Sequence, residues 1–148
     1  MYTVRKIKTF RGHEGEGFNA ELCRDGKKIC DVIDEGNGGE IYFEGLSGAD
    51  RTQLETFIKD KTWEFDGHVY EMSPDVFVGE LVGDELERRR IARLCKKHLV
   101  ARVREGAGVA VYQYKGAYTA ELAAHVRKEH GDKLIEIVNE TPELFRRG

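Results

Sequence analysis

Residues 11–17, Arg-Gly-His-Glu-Gly-Glu-Gly, place a cation, an imidazole and two carboxylates in one glycine-rich segment. Glycine lets backbone N–H groups converge on an anion, and a guanidinium such as that of Arg11 forks onto phosphate. His13 stands beside Glu14, and the two could act as an acid–base pair, imidazole being the side chain suited to proton transfer near neutrality. The carboxylates weaken plain phosphate binding and suit the hydroxyls of a ribose, or a metal, better. A hairpin loop with incidental charges has the same composition. A second group lies at 88–104, RRRIARLCKKHLVARVR, with eight Lys/Arg and no Asp or Glu. Arg102 and Arg104 alternate, so on a strand they stand on one face about 7 Å apart. That spacing suits two phosphates of one small ligand. A solvated helix face followed by an exposed strand explains the same run without a ligand. Tyr112, Tyr114 and Tyr118 could stack on a base, although Tyr112 and Tyr114 fall on an apolar face and are expected in the core. His125 and His130 are expected at the surface or a helix end. The acidic turn at 34–40 lacks the ligand spacing of an EF-hand and reads as a turn.

Known catalytic signatures are missing. The chain has no P-loop, no G-x-G-x-x-G opening a helix, no H-E-x-x-H and no G-x-S-x-G. Deaminase and two-histidine phosphoesterase patterns are also missing. Cys23, Cys30 and Cys95 make no C-x-x-C, and Cys95 with His98 is one lone pair. Buried thiols are expected, with no metal and no cofactor.

These residues need elements to position them. Residues 2–9 alternate as a strand. Residues 18–24 and 28–34 flank Asp25-Gly26, a hairpin signal. A two-residue loop would pair Leu22 with Ile29, and a three-residue loop would pair it with Cys30. The second puts Phe18, Ala20, Leu22, Cys30 and Val32 on one face and is preferred. A fourth strand is expected at 40–44. Ser47 or Asp50 can cap a helix bearing Leu54, Phe57 and Ile58. Residues 61–72 are ambiguous, with Trp63, Phe65, Val69 and Met72 expected over the core. Ser73-Pro74 starts a helix that runs to about residue 97. Its stripe of Val78, Leu81, Val82 and Leu86 slips before Ile91, Leu94 and Cys95, at the three arginines 88–90. Residues 98–105 and 109–114 form a second hairpin in which Arg104 faces Val109. Thr119 caps a helix ending at Gly131, with Leu122, Ala123, Val126 and His130 inside. Residues 134–139 form a last strand, and 141–143 start a short helical turn. The expected class is α+β: antiparallel hairpins packed with two or three helices and a C-terminal ββαβ element, in one domain over 1–148.

The chain has 148 residues, 40% hydrophobic and 34% charged. One domain of that length buries on the order of 70% of its unfolded surface. No apolar run is long enough to span a membrane, and the first residues lack the apolar core of a signal peptide. The net charge of −3 conceals an asymmetry. Residues 1–87 hold 20 acidic and 10 basic side chains, and residues 88–148 hold 7 and 14. An anionic partner fits that asymmetry, as does the acidic half of another copy. The acidic half would repel a nucleic acid duplex, so nucleic acid is not the expected partner.

The segment RGHEGEGFNAELCRDGKKICDVIDEGNGGE, with GDKLIEIVNE near the C-terminus, resembles small accessory proteins of bacteriophage and prophage genomes. The shared pattern is R-G-H/M-E-G-x-G-F-x-A-x-L, then D-G-K-K, then a Gly-Gly turn. The resemblance implies a protein acting in the bacterial host cytoplasm, in a group that often counters host defence. One class of such proteins sequesters nucleotide immune signals of the cyclic nucleotide or cyclic ADP-ribose type, and another degrades them. The first expectation is therefore a homo-oligomeric binding protein for a small anionic nucleotide. Arg11, Arg102 and Arg104 would hold phosphates and Glu14 ribose hydroxyls. The alternatives are an enzyme using His13 and Glu14, and a protein-binding inhibitor of a host defence enzyme.

Overall fold

A computed structural model describes residues 1–141. The chain divides into two compact units, Met1–Glu85 and a second that starts at Leu86.

In the first unit four antiparallel strands lie in chain order: β1 (Tyr2–Arg11), β2 (Glu16–Arg24), β3 (Lys27–Asp34) and β4 (Tyr42–Glu44). The alternation works as the sequence suggests. Phe18, Ala20, Leu22, Cys30 and Val32 are all buried. The register combines both expectations. The loop is only Asp25-Gly26, yet Leu22 pairs with Cys30, because Ile29 is bulged out between Lys28 and Cys30. The bulge keeps the apolar residues on one face, where a slip would have turned them to solvent. Strand β4 starts two residues later than expected. The Ile41 N–H donates to Asp75 Oδ2 at 3.3 Å instead of joining the ladder.

Helix α1 (Gly48–Ile58) is capped by Ser47, whose Oγ accepts from the Asp50 N–H at 3.1 Å. Asp50 is thus the first-turn acid and not the cap. It takes the Arg24 guanidinium at 2.7 Å, which ties β2 to α1 and holds the carboxyl below its usual range. Leu54 and Ile58 are buried. Phe57 stays nearly half exposed within an aromatic trio with Tyr2 and Phe77.

The ambiguous segment is a hairpin of β5 (Thr62–Phe65) and β6 (His68–Glu71), turned at Asp66-Gly67. This corrects the expectation that Phe65 and Val69 cover the core, since they are 66% and 63% exposed. Among the described residues neither strand pairs with another sheet.

Helix α2 (Pro74–Cys95) begins with Ser73 Oγ accepting from the Val76 N–H. It passes from one unit into the next at Glu85–Leu86, just before the three arginines 88–90 where the apolar stripe slips. Val78 and Val82 are buried in the first unit, and Cys95 in the second. Its last turn continues past Cys95, with the Lys97 N–H donating to the Leu94 carbonyl at 3.1 Å.

In the second unit β7 (Val100–Glu105) lies between β8 (Gly108–Gln113) and β9 (Leu134–Ile137), all antiparallel. Arg104 pairs with Val109 as expected. Helix α3 (Ala120–His130) is capped by Thr119 and ends at Gly131, whose φ of 53° suits glycine. The core holds Leu99, Ala101, Val103, Ala123, Val126 and Ile137. The class is α+β with the ββαβ order at the C-terminal side. The expected helical turn at 141–143 lies outside the described residues beyond Thr141.

One side chain joins the end of α2 to this sheet. Asn139 Oδ1 accepts from the Val100 N–H at 2.8 Å. Its Nδ2 donates to the His98 and Cys95 carbonyls at 2.9 and 3.2 Å. The Val100 side chain is fully buried, so its amide has little recourse to water. Asn139→Ala should cost about 2–3 kcal/mol, read by urea denaturation, because one deletion strands three backbone groups.

Candidate functional site

The outer face of β7–β8 carries Arg102 opposite Val111 and Arg104 opposite Val109. Val109 and Val111 are 51% and 48% exposed. They form an apolar floor beside the two cations. Arg102 Nη1 is paired with Glu136 Oε1 on β9 at 3.1 Å, which fixes the guanidinium in mid-face. Arg104 is exposed and makes no ion pair among the described residues. One cation is thus positioned and partly neutralised, and the other is available. The rest of the basic stretch divides similarly. Arg90 clamps Glu87 in a two-point contact at 2.9 and 2.6 Å, drawing the Glu87 carboxyl below its usual range. His98 is half-buried, with Nδ1 at 2.9 Å from the Tyr114 carbonyl. Its role is structural. Arg93, Lys96 and Lys97 are exposed.

The glycine-rich segment behaves differently from the expectation of amides converging on an anion. The Gly12 N–H donates to the Gly15 carbonyl at 2.7 Å, and the Glu14 N–H to the Gly36 carbonyl at 2.8 Å. Those two amides are spent inside the protein. The glycines instead let two loops interlock, 11–17 and 34–39. A Cβ at Gly12 would lie 2.4 Å from the Gly36 oxygen, and one at Gly36 2.8 Å from the Gly15 oxygen. The Gly36 N–H in turn donates to Asp34 Oδ1 at 2.9 Å. The acidic turn is therefore the second half of this joint. Arg11, His13 and Glu14 are exposed around it. No hydrogen bond joins His13 to Glu14 among the described residues. The expected ligand residues divide between the units, with Arg11 and Glu14 in the first and Arg102 and Arg104 in the second.

Sequence reasoning missed a third group, on the opposite face of the second sheet. The Tyr114 hydroxyl donates to Glu129 Oε2 at 3.2 Å and lies 2.5 Å from His130 Nε2. A hydroxyl has one proton, so with Glu129 as acceptor the His130 Nε2–H is the donor. The Tyr112 ring packs on His130 with centroids 5.0 Å apart. Tyr112 is 37% exposed, at the rim of the core and not within it. His130 was legible as the last inward position of α3. Its partners, Tyr112 on β8 and Tyr114 just beyond that strand, and its neighbour Glu129 were not.

Burial and the Glu129 carboxylate push the Tyr114 phenol up to about 12 from 10.0. The folded protein therefore holds this proton more tightly than the unfolded chain does. The stabilisation is complete below about pH 10 and is lost as pH rises from 10 toward 12. In an absorbance titration of the six tyrosines, Tyr114→Phe should remove a component that ionises late.

Burial also raises the Cys30 thiol to about 11 and the Cys95 thiol above its usual value. All three cysteines are free and buried, as expected. No group of three or more His, Cys, Asp or Glu side chains among the described residues could hold a metal ion. No helix among them is long and apolar enough to cross a membrane. Comparison with protein-family models, with curated proteins and with solved structures finds no match.

Proposed function

We propose that this chain is a phage-type accessory protein that binds and sequesters a small anionic nucleotide signal in the bacterial cytoplasm, as a homo-oligomer with acidic and basic halves of neighbouring copies in contact. The observation that carries the reading is the outer face of β7–β8. Arg102 and Arg104 stand on it as alternate residues, beside exposed Val109 and Val111. A strand sets such residues about 7 Å apart, a span that accommodates two phosphates. The valines offer an apolar surface to the rest of the ligand. Glu136 orients Arg102 without covering Arg104. Arg11 and Glu14 remain the candidates in the first unit for a phosphate and for ribose hydroxyls. Their interlocked loops give them a firm base.

Equilibrium dialysis against cyclic mononucleotides, cyclic oligonucleotides and cyclic ADP-ribose-type compounds tests this. Retention of at least one class is expected, weakening as salt rises because the cations on this face are exposed. Absence of retention for every class at low salt would overturn it.

A further inference from the structure

The β5–β6 hairpin carries a surface that the nucleotide reading does not use. Trp63 pairs with Tyr70 and Phe65 with His68, so these four rings share one face. Trp63 stacks on Tyr70 with centroids 4.9 Å apart and lies 6.3 Å from Phe65, and His68 lies 6.4 Å from Tyr70. Phe65 is 66% and Tyr70 42% exposed. The other face bears Glu64 and Glu71, and the turn bears Asp66. The hairpin is tied at its base by the Met72 N–H donating to the Lys61 carbonyl at 3.0 Å, and among the described residues it pairs with no further strand. A lone two-stranded hairpin is marginal in water. Phe65, His68 and Tyr70 exposed around a half-buried Trp63 on such a hairpin are a feature of an interaction surface.

The chemistry of that surface selects its occupant. Aromatic faces attract guanidinium and ammonium groups, and the carboxylates on the hairpin's other face and turn add a longer-range attraction. The chain itself supplies such a cationic partner. Arg93, Lys96 and Lys97 are exposed at the end of α2, in the stretch that holds eight basic and no acidic residues. They are not among the residues assigned to the nucleotide. We propose that the aromatic face of the β5–β6 hairpin docks on the Arg93–Lys96–Lys97 surface of a second copy, and that the exchange is reciprocal. Two such contacts related by a two-fold axis close a dimer. This inference rests on the homo-oligomer part of the proposed function and names its interface.

Trp63 is the only tryptophan, so its emission reports this face directly. The test measures solution mass by light scattering, and Trp63 emission, across a dilution series at low and high salt. The expected mass is twice the chain's 16.9 kDa at high protein and low salt. It should fall to 16.9 kDa on dilution, while the emission shifts to the red with the same midpoint. Arg93→Glu combined with Lys97→Glu, distant in sequence from the reporter, should give the monomer mass and the red-shifted emission at every concentration. Phe65→Ser should do the same with an unchanged circular dichroism spectrum. A wild-type monomer throughout would overturn the proposal. So would a dimer unaffected by both variants. Nucleotide retention is scored separately. A monomer that still retains nucleotide removes only the interface, and a dimer that retains none removes only the nucleotide reading.

Discussion

Arg104→Ala should weaken nucleotide binding about 10- to 100-fold, while the melting temperature stays close to that of the parent protein. A charge-assisted hydrogen bond contributes about 1.5–3 kcal/mol, and a factor of ten is 1.4 kcal/mol. Arg104 is exposed and makes no ion pair among the described residues, so its removal strands no partner in the fold. Arg102→Ala is expected to weaken binding as well, for a compound reason. It removes one cation, and it also leaves Glu136 with its oxygen 3.1 Å from where that cation stood. That uncompensated carboxylate would then repel the ligand. Arg102→Lys keeps the charge without the fork and should fall between the parent and the alanine variant. Calorimetric titration of the three variants with a retained nucleotide reads all of this. Unchanged affinity in Arg104→Ala would remove the site assignment.

The largest effect on stability is expected at Gly12. Its Cβ would meet the Gly36 carbonyl oxygen at 2.4 Å and the Glu35 oxygen at 2.7 Å. Both obstacles are backbone, held by the Glu14-to-Gly36 hydrogen bond, so neither can swing aside as a side chain would. Gly12→Val should therefore cost about 3–5 kcal/mol, the range reached only when a specific packing feature is broken. That is a large part of the 5–15 kcal/mol that typically holds a domain folded. Gly48→Ala provides the contrast. Gly48 opens α1 with nothing within 4 Å of its would-be Cβ. Alanine there should be neutral or stabilise by up to about 1 kcal/mol. Urea denaturation of the two variants separates steric need from mere glycine content. If Gly12→Val lost less than Asn139→Ala, the interlocking of the two loops would not be what holds this end of the sheet.

The parts of this structure that were legible in the sequence are those governed by neighbours in the chain. The caps at Ser47, Ser73 and Thr119 are local hydrogen bonds, and a short polar side chain before an apolar stripe announces them. The pairing of Leu22 with Cys30 followed from keeping the apolar residues on one face, although the bulge at Ile29 that achieves it did not. Asp66-Gly67 carried the same turn signal as Asp25-Gly26. It was obscured because the rings around it read as core residues, and apolar character does not say whether a residue is covered. The site residues were legible only in part. Alternation places Arg102 and Arg104 on one face. That Glu136 occupies one of them, and that Gly36 closes on Gly12, are contacts between distant segments. They depend on how strands and loops meet, and no local spacing records that. The same holds for Tyr114, Glu129 and His130, assembled from the residue that follows β8 and the end of a helix.

Sequestration requires that the protein hold an intact nucleotide. The direct test mixes purified protein with each nucleotide signal and chromatographs the free ligand before and after the protein is denatured by heat. At least one signal is expected to disappear from solution and return chemically unchanged on heating. A signal that returns as a new product would contradict sequestration and make His13 and Glu14 the first residues to replace. Signals that all stay free and unchanged would contradict nucleotide binding itself.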